Sequence, residues 1–489
     1  MVFLYVMETR SAKRKKLLDH VDDNESGEDY LTDLPDAILH YILFLLPIKN
    51  IAQTCVLSKR WRHIWYSFPD LDFTTVRQKE GMKFINDVLS IREKQHCCSD
   101  IRVLRVGGSF VCSQLNSLIR RAVKSCNVQH LEIDVVTNEC FNLPRSVARS
   151  DSLRILKMKL LGQGFRLSIV RDGFQTLETL SLSNVVFNEH PNVVMDPLSF
   201  PSLRKLSMEK CRGLRHLRVY CQTLVKFSLS ECSELDNLEI SCAKLEKLSV
   251  SRCFNSASSR SSVKIDALKL DRIMWKGNAI TDHSSLHNLR SLQKASVCFE
   301  SVTAAHLTSM SKFFIGLSQS KCLKLETPCF ELLSKNKHFA GVIYEAFVNL
   351  KSLELHTSKI QELASLFRSS LSLHKLIISI TSDSKVHKSI ASTQSDRNLS
   401  SSSSDERYWK SQSQASKPFL HELKSVTLHG ISESEREFSL VKFLLGNTRV
   451  LQEMVISCAA GRGCRRLERI ESRVMQFYRA SFDAKIVFH

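Results

Sequence analysis

Between residues 34 and 68 the apolar positions fall into helical stripes. Leu34, Ala37, Ile38, Tyr41, Ile42 and Leu45 follow the spacing i, i+3, i+4, i+7, i+8, i+11, which lays one apolar face along a helix. Asp33 is its expected N-cap, and Asp36 adds negative charge at the positive end of the helix dipole. Pro47 should stop this helix, because its ring cannot continue the hydrogen-bond ladder. A second short helix reads from Ile48, Ile51, Ala52, Cys55 and Val56. Ser58 can cap a third, in which Trp61, Ile64, Trp65 and Phe68 repeat the stripe. Three helices this short bury little surface alone, so part of their apolar surface is expected to meet another protein or the following domain.

Further along, the period changes. Leu-x-x-Leu-x-apolar recurs as Leu203, Leu206, Met208; Leu214, Leu217, Val219; Leu224, Phe227, Leu229; Leu235, Leu238, Ile240; and Leu245, Leu248, Val250. The starts differ by 11, 10, 11 and 10, so two beats make 21 residues, within the roughly 20 to 29 of a leucine-rich repeat. Alternation such as Leu217-x-Val219-x-Cys221 suits a strand with one buried face, and two short strands per coil are expected here. Cys211, Cys221, Cys232, Cys242 and Cys253 keep the same beat. They lack the paired CxxC spacing of a zinc site and read as small buried apolar residues. Looser copies at Val103-Leu104, Leu131 with Ile133, Leu153 to Leu156, Leu177 to Leu180, Leu350 to Leu355 and Leu373 to Leu376 extend the repeats over residues 100–380. Such units stack into a curved array whose strand face is an extended binding surface.

Residues 382–417 break the pattern, being rich in Ser, Gln, Asp and Lys, with an uninterrupted serine run at Ser400 to Ser404. This composition predicts a loop without order of its own, able to carry phosphorylation. After it, Leu423 to Gly430 reads as a strand and turn, Ser434 to Leu445 as a helix, and Leu451 to Ile456 and Ala480 to Phe488 as closing segments.

Composition narrows the class. The chain has 489 residues, 43% hydrophobic and 24% charged, with Gly 15 and Pro 9, a globular balance with long regular stretches. Its net charge of +19 would attract nucleic acid, an anionic membrane or an acidic partner alike, and no RNA-binding motif, zinc-finger spacing or phosphate loop accompanies it. Met1 to Val6 is apolar, but the charges Arg10 and Lys13 to Lys16 follow it rather than precede it, which disfavours a secretory signal. Met7 is the expected true start. Lys13 to Lys16 is a candidate nuclear-import patch beside a plain basic tail. The apolar run Ala37 to Leu46 is far short of the roughly 20 residues that cross a bilayer. The 16 cysteines, with no export signal, are expected to be reduced thiols.

The N-terminal motifs are specific. Asp33-Leu34-Pro35-Asp36, Ile42-Leu43-Phe44-Leu45-Leu46-Pro47, Val56-Leu57-Ser58-Lys59-Arg60-Trp61-Arg62 and Trp65 resemble the F-box of plant F-box proteins. That resemblance implies a module gripping a SKP-type adaptor and, through it, cullin and RING subunits. Leu34, Pro35, Ile42, Leu46, Pro47, Val56, Leu57 and Trp61 would be contact or contact-supporting residues. The C-terminal segments, above all Glu435-Arg436-Glu437-Phe438 and Ala480-Ser481, resemble the FBD module of many such proteins. The start of that segment lacks the cysteine often found ahead of its first strand.

The expected architecture is therefore α+β. A tail over 1–28 precedes an F-box over 29–75, a leucine-rich-repeat solenoid over 76–381, the serine-rich loop over 382–417 and an FBD-like α/β cap over 418–489. No GxSxG, HExxH, P-loop or dinucleotide fingerprint occurs, and the 17 histidines have no ligand spacing. Neither a catalytic role nor a cofactor or metal is expected. The resemblance implies the substrate-recognition subunit of an SCF-type ubiquitin ligase, acting in nucleus or cytoplasm and holding an unknown target. The alternatives are a non-catalytic scaffold and a basic RNA-binding solenoid, with nucleic acid disfavoured; a small molecule or inositol phosphate under the repeats stays open.

Overall fold

The computed structural model describes residues 34–76, 78–94, 100–167, 170–187, 192–255, 260–369, 371–380, 401–458 and 464–489. The expectations for Met7, Lys13 to Lys16, the tail over 1–28 and the loop over 382–400 lie outside these residues, as does Asp33 itself, and the N-cap expected there falls to Pro35 instead, with no side-chain cap bond. The chain divides into two compact units, one made of Met1–His190, Asp196–Ser207 and Cys211–Gly213, the other of Pro191–Met195, Met208–Lys210 and Leu214–His489.

The first unit opens with three helices, Asp36–Phe44, Ile48–Gln53 and Lys59–Ser67, with a short 3-10 turn at Thr54–Val56. Ser58 caps the third helix as expected, its hydroxyl accepting the Trp61 N–H at 3.2 Å. Trp61, Ile64, Trp65 and Phe68 are all buried. In the first helix the core residues are Leu39 and Leu43, and the stripe of Ala37, Ile38, Tyr41 and Leu45 points outward. The first and second helices start from Pro35 and Pro47, whose fixed φ of −55° and −59° suits the position before a helix.

The third helix ends at Ser67, and the strand Asp70–Asp72 enters a parallel sheet directly, pairing with Val103–Ser109. His130–Val136, Ile155–Leu161 and Thr179–Ser183 follow in register, so that Leu104, Leu131, Leu156 and Leu180 stack in one fully buried row. The crossover helix Cys112–Ser125 covers this sheet with Leu115, Leu118, Ile119 and Ala122. Two cations brace the join between the helices and the sheet, one across the first two strands and one at the helix end. Arg102 makes a bidentate pair with Asp70 at 2.8 and 2.7 Å. Arg92, buried, donates to the carbonyls of Trp65 (3.0 Å) and Phe68 and lies over the Trp65 ring at 5.5 Å.

In the second unit the ten-residue beats alternate between two parallel sheets. Lys226–Ser230 and Lys247–Ser251 pair in one. Asn192–Met195, His216–Val219, Asn237–Ser241, Ser262–Asp266 and His283–His287 form the other. Cys221, Cys232, Cys242 and Cys253 are buried between them, as the beat predicts, and their thiols point at carbonyls such as Val219 (3.4 Å from Cys242) and Ser251 (3.1 Å from Cys253). Beyond Arg272–Asn278 and Lys294–Phe299 the second strand of each beat gives way to helices, including Leu307–Gly316, Thr327–Lys335 and Lys337–Ala346. Trp275 fills this changeover, 5.5 Å from Phe254 and 5.3 Å from Phe313.

The first of these sheets continues through Cys322–Leu325, Ser352–Thr357, Lys375–Ile380, Ser425–Ile431, Glu453–Cys458 and Lys485–Phe488, all parallel. The serine-rich expectation needs correction in its second half. Ser401–Gln412 is a helix, because Trp409 is buried against Phe443 (4.9 Å) and Phe367 (5.8 Å) and Asp405 accepts from Gln361 at 3.0 Å. Composition over the whole stretch hid the two aromatics, Tyr408 and Trp409, that anchor it.

The C-terminal motifs also acquire physical roles. Ser434 and Glu437 form a reciprocal capping box on the helix Glu435–Asn447. The buried Glu437 carboxylate also accepts from the Ser432 hydroxyl at 2.8 Å. Phe438 is covered by the Arg473 guanidinium at 4.2 Å. Ala480 N–H donates to Leu445 (2.9 Å) and the Ser481 hydroxyl to Leu451 (2.7 Å), fastening the last turn onto this helix and strand. Gly430 has φ +84°, and a Cβ there would stand 2.3 Å from the Ile380 carbonyl oxygen, so only glycine fits.

Candidate adaptor-docking site

The three N-terminal helices present apolar side chains to solvent in unusual number. Ile38 is 46% exposed, Tyr41 63%, Phe44 60%, Leu45 65%, Val56 54% and Leu57 60%. A monomeric surface seldom keeps so many large apolar groups on so few residues. Pro35 and Pro47 are exposed beside them, while Leu34, Ile42 and Leu46 are half-buried.

Of the eight residues expected at this site, seven keep surface accessible on this module, and Trp61 does not. Trp61 is 4% exposed and belongs to the bundle interior, where it can support the site only indirectly. Ile38, Tyr41, Phe44 and Leu45 are the residues sequence reasoning left off the site. Ile38, Tyr41 and Leu45 were present in the helical stripe, whereas Phe44 lies off it and appears only in the Ile42 to Pro47 motif.

The frame beneath this face is polar and specific. Arg60 reaches from the third helix to the start of the first, donating Nη2 to Asp36 Oδ1 (2.6 Å) and to the Leu34 carbonyl (2.5 Å). The Arg60 guanidinium thereby holds the Asp36 carboxyl below its ordinary value of 3.8. His40 Nε2 lies 3.3 Å from Ser67 Oγ, a second link between the same helices. Cys55 stands at the edge of the patch, but burial raises its thiol to about 11, so it stays protonated and is no nucleophile.

In the second unit the outward face of the shorter sheet forms a shallow concavity of about 530 Å³ lined by His216, Arg218, Asn237, Glu239 and Lys264. Its groups already satisfy one another: Asn237 and His216 are 2.6 Å apart, and Glu239 accepts Lys264 at 3.0 Å and faces Arg218 at 3.7 Å. Among the described residues no group of three or more His, Cys, Asp or Glu is placed to hold a metal ion, and no helix is long and apolar enough to cross a membrane.

The first unit thus joins a capped three-helix module with an exposed apolar face, without a spacer, to parallel leucine-rich strands. The comparisons with known proteins make this specific. The F-box domain family model matches residues 31–72, and the FBD family model matches residues 412–456. A putative F-box/FBD/LRR-repeat protein of Arabidopsis thaliana is 38% identical over 99% of this chain and 100% of its own length. From the same plant, a putative F-box/LRR-repeat protein is 30% identical over 42% of each chain, and a putative FBD-associated F-box protein is 28% identical over 45% of this chain and 48% of its own. The chain belongs to the F-box/FBD/LRR-repeat family.

Proposed function

We propose that the chain is the substrate-recognition subunit of an SCF-type ubiquitin ligase. In this reading the F-box helices bind a SKP-type adaptor, which links the chain to cullin and RING subunits, and the parallel strands form a leucine-rich-repeat solenoid that holds a target protein. Members of the family are generally non-catalytic adaptors, and the chain itself would perform no chemistry; it would act by proximity, raising the effective concentration of target beside the charged conjugating enzyme. The domain divisions at 29–75, 76–381 and 418–489, and action in nucleus or cytoplasm, belong to the same reading.

The observation that carries it is the exposed face made by Tyr41, Phe44, Leu45, Val56 and Leu57 on a module matched by the F-box family. Binding energy at such faces concentrates in a few large apolar anchors ringed by polar groups, here Lys59, Arg60 and Arg62. The test is co-purification of the full chain with a SKP-type adaptor, beside a Leu34→Ala, Pro35→Ala variant and a Leu45→Asp, Leu57→Asp variant. Adaptor binding by the intact chain, lost in both variants with circular dichroism unchanged, supports the reading. A folded intact chain that captures no adaptor sinks it.

A further inference from the structure

Among the described residues several charged rows on neighbouring strands alternate in sign. In the first unit Glu132 sits between Arg105 (3.5 Å) and Lys157 (3.4 Å), and Asp134 faces Lys159 at 2.8 Å. In the second unit Glu239 sits between Arg218 and Lys264, and Lys324 pairs with Glu354. Opposite charges across strands stabilise a sheet and like charges oppose it.

One row departs from this rule. Lys226, Lys247, Arg272 and Lys294 open four successive parallel strands and are direct register partners, Lys226 with Lys247, Lys247 with Arg272 and Arg272 with Lys294. All four are exposed. Neighbouring strands lie about 4.8 Å apart, so the row places four cations over roughly 14 Å. Arg272 is partly offset by Asp271 at 3.0 Å, and an exposed Glu246 precedes Lys247. Lys226, Lys247 and Lys294 form no ion pair among the described residues, every such pair of this sheet lying at other positions. The row beside it, two residues along each strand, is Ser228, Ser249, Met274 and Ser296, all neutral.

Like charges held in register raise the local positive potential, and that repulsion is relieved when an anionic partner lies across them. The adjoining hydroxyls of Ser228 and Ser249, half-buried, offer further donors to the same carboxylates. A single-stranded nucleic acid would want aromatic faces on which its bases stack, and the flanking rows offer serine and methionine instead. We propose that this row is the docking surface for an extended acidic segment, rich in Asp and Glu, of a partner protein that lies across the strands. The inference rests on the reading of the chain as a target receptor, and it names the chemistry of the target.

The test uses the full chain and a fluorescein-labelled oligoglutamate peptide, followed by anisotropy at low and at physiological salt. A Lys226→Gln, Lys247→Gln, Lys294→Gln variant is compared with Lys312→Gln, Lys337→Gln, Lys410→Gln, which removes the same charge from exposed helical positions. Thermal unfolding checks that both fold like the parent. The row variant should bind the peptide about tenfold more weakly and with a flatter salt dependence, and the control should stay within about twofold. Equal weakening in both variants, reporting only the overall +19 charge, overturns the proposal. So does unchanged binding in the row variant, or an oligonucleotide of equal charge that binds the same three lysines more tightly than the peptide. SKP-type adaptor capture is measured on the same samples. Row-dependent peptide binding in a chain that captures no adaptor would sink the ligase reading and leave this surface standing.

Discussion

Leu43 and Leu45 stand two residues apart at the end of one helix and should fail in opposite ways. Leu43 is 0% exposed and Leu45 is 65% exposed. Truncating a fully buried leucine removes its transfer energy and leaves a cavity, so Leu43→Ala should cost about 3 to 5 kcal/mol of stability. Burying a whole leucine side chain contributes about 1.5 to 3 kcal/mol, so covering the exposed two-thirds of Leu45 with an adaptor contributes roughly 1 to 2 kcal/mol. Leu45→Ala should then weaken adaptor binding about five- to thirtyfold while changing stability by less than about 0.5 kcal/mol. Isothermal titration with a purified SKP-type adaptor reads the first quantity and urea unfolding the second. If Leu45→Ala destabilises the chain as much as Leu43→Ala, or leaves adaptor affinity within twofold, the outward face is not an interface and the division between core and contact stripe is wrong.

Four further outcomes are expected. Trp409→Ala, which empties the site between Phe367 and Phe443, should destabilise the second unit by about 3 to 5 kcal/mol in urea unfolding; a change under about 1 kcal/mol would mean the Ser401–Gln412 helix adds no packing. Glu437→Ala strips the partner from the Ser432 and Ser434 N–H groups and should cost about 1 to 3 kcal/mol, with Glu437→Gln recovering part of it by the same measurement. Because Asp36 titrates below 3.8 in the folded chain, the Arg60 pair contributes fully above that value and is lost as pH falls through the lowered one. Carboxyl NMR should show this, and Arg60→Ala should return Asp36 to about 3.8. Burial pushes Cys242 and Cys329 up to about 12, so iodoacetamide at pH ~8 should alkylate them only after unfolding, and prompt labelling of either in the native chain would contradict their placement.

What the sequence disclosed, and what it hid, follows from what each pattern measures. Trp61, Ile64, Trp65 and Phe68 were readable as one buried stripe because the third helix is apolar on one side only. The first helix is apolar on two, Leu39 and Leu43 inward and Ile38, Tyr41 and Leu45 outward. Periodicity counts a stripe without saying what covers it, so it found the outward stripe and left open whether a partner or the following domain covers it. The strand beats from Leu203 to Val250 were legible because period 2 within a strand and a step of ten or eleven between strands reinforce each other. The helices that replace alternate strands after Phe299 leave no trace in Leu-x-x-Leu, which registers only the strand. Ser401–Gln412 was hidden by its serines, since composition averages over residues and a single tryptophan fixes the helix.

The join between the F-box helices and the first sheet bears on the proposed receptor role. A proximity mechanism raises effective concentration only if the held target stays within reach of the transfer site, and a flexible spacer dilutes that gain as it lengthens. Here no spacer exists: the helix ends at Ser67 and the strand begins at Asp70. Arg92 fixes the two carbonyls at the end of that helix, and Arg102 holds Asp70 in two parallel hydrogen bonds. Arg92 is buried and donates to main-chain carbonyls, while the Arg102–Asp70 pair is bidentate and charge-assisted. Within this unit the three helices and the first parallel strands are therefore joined without a spacer.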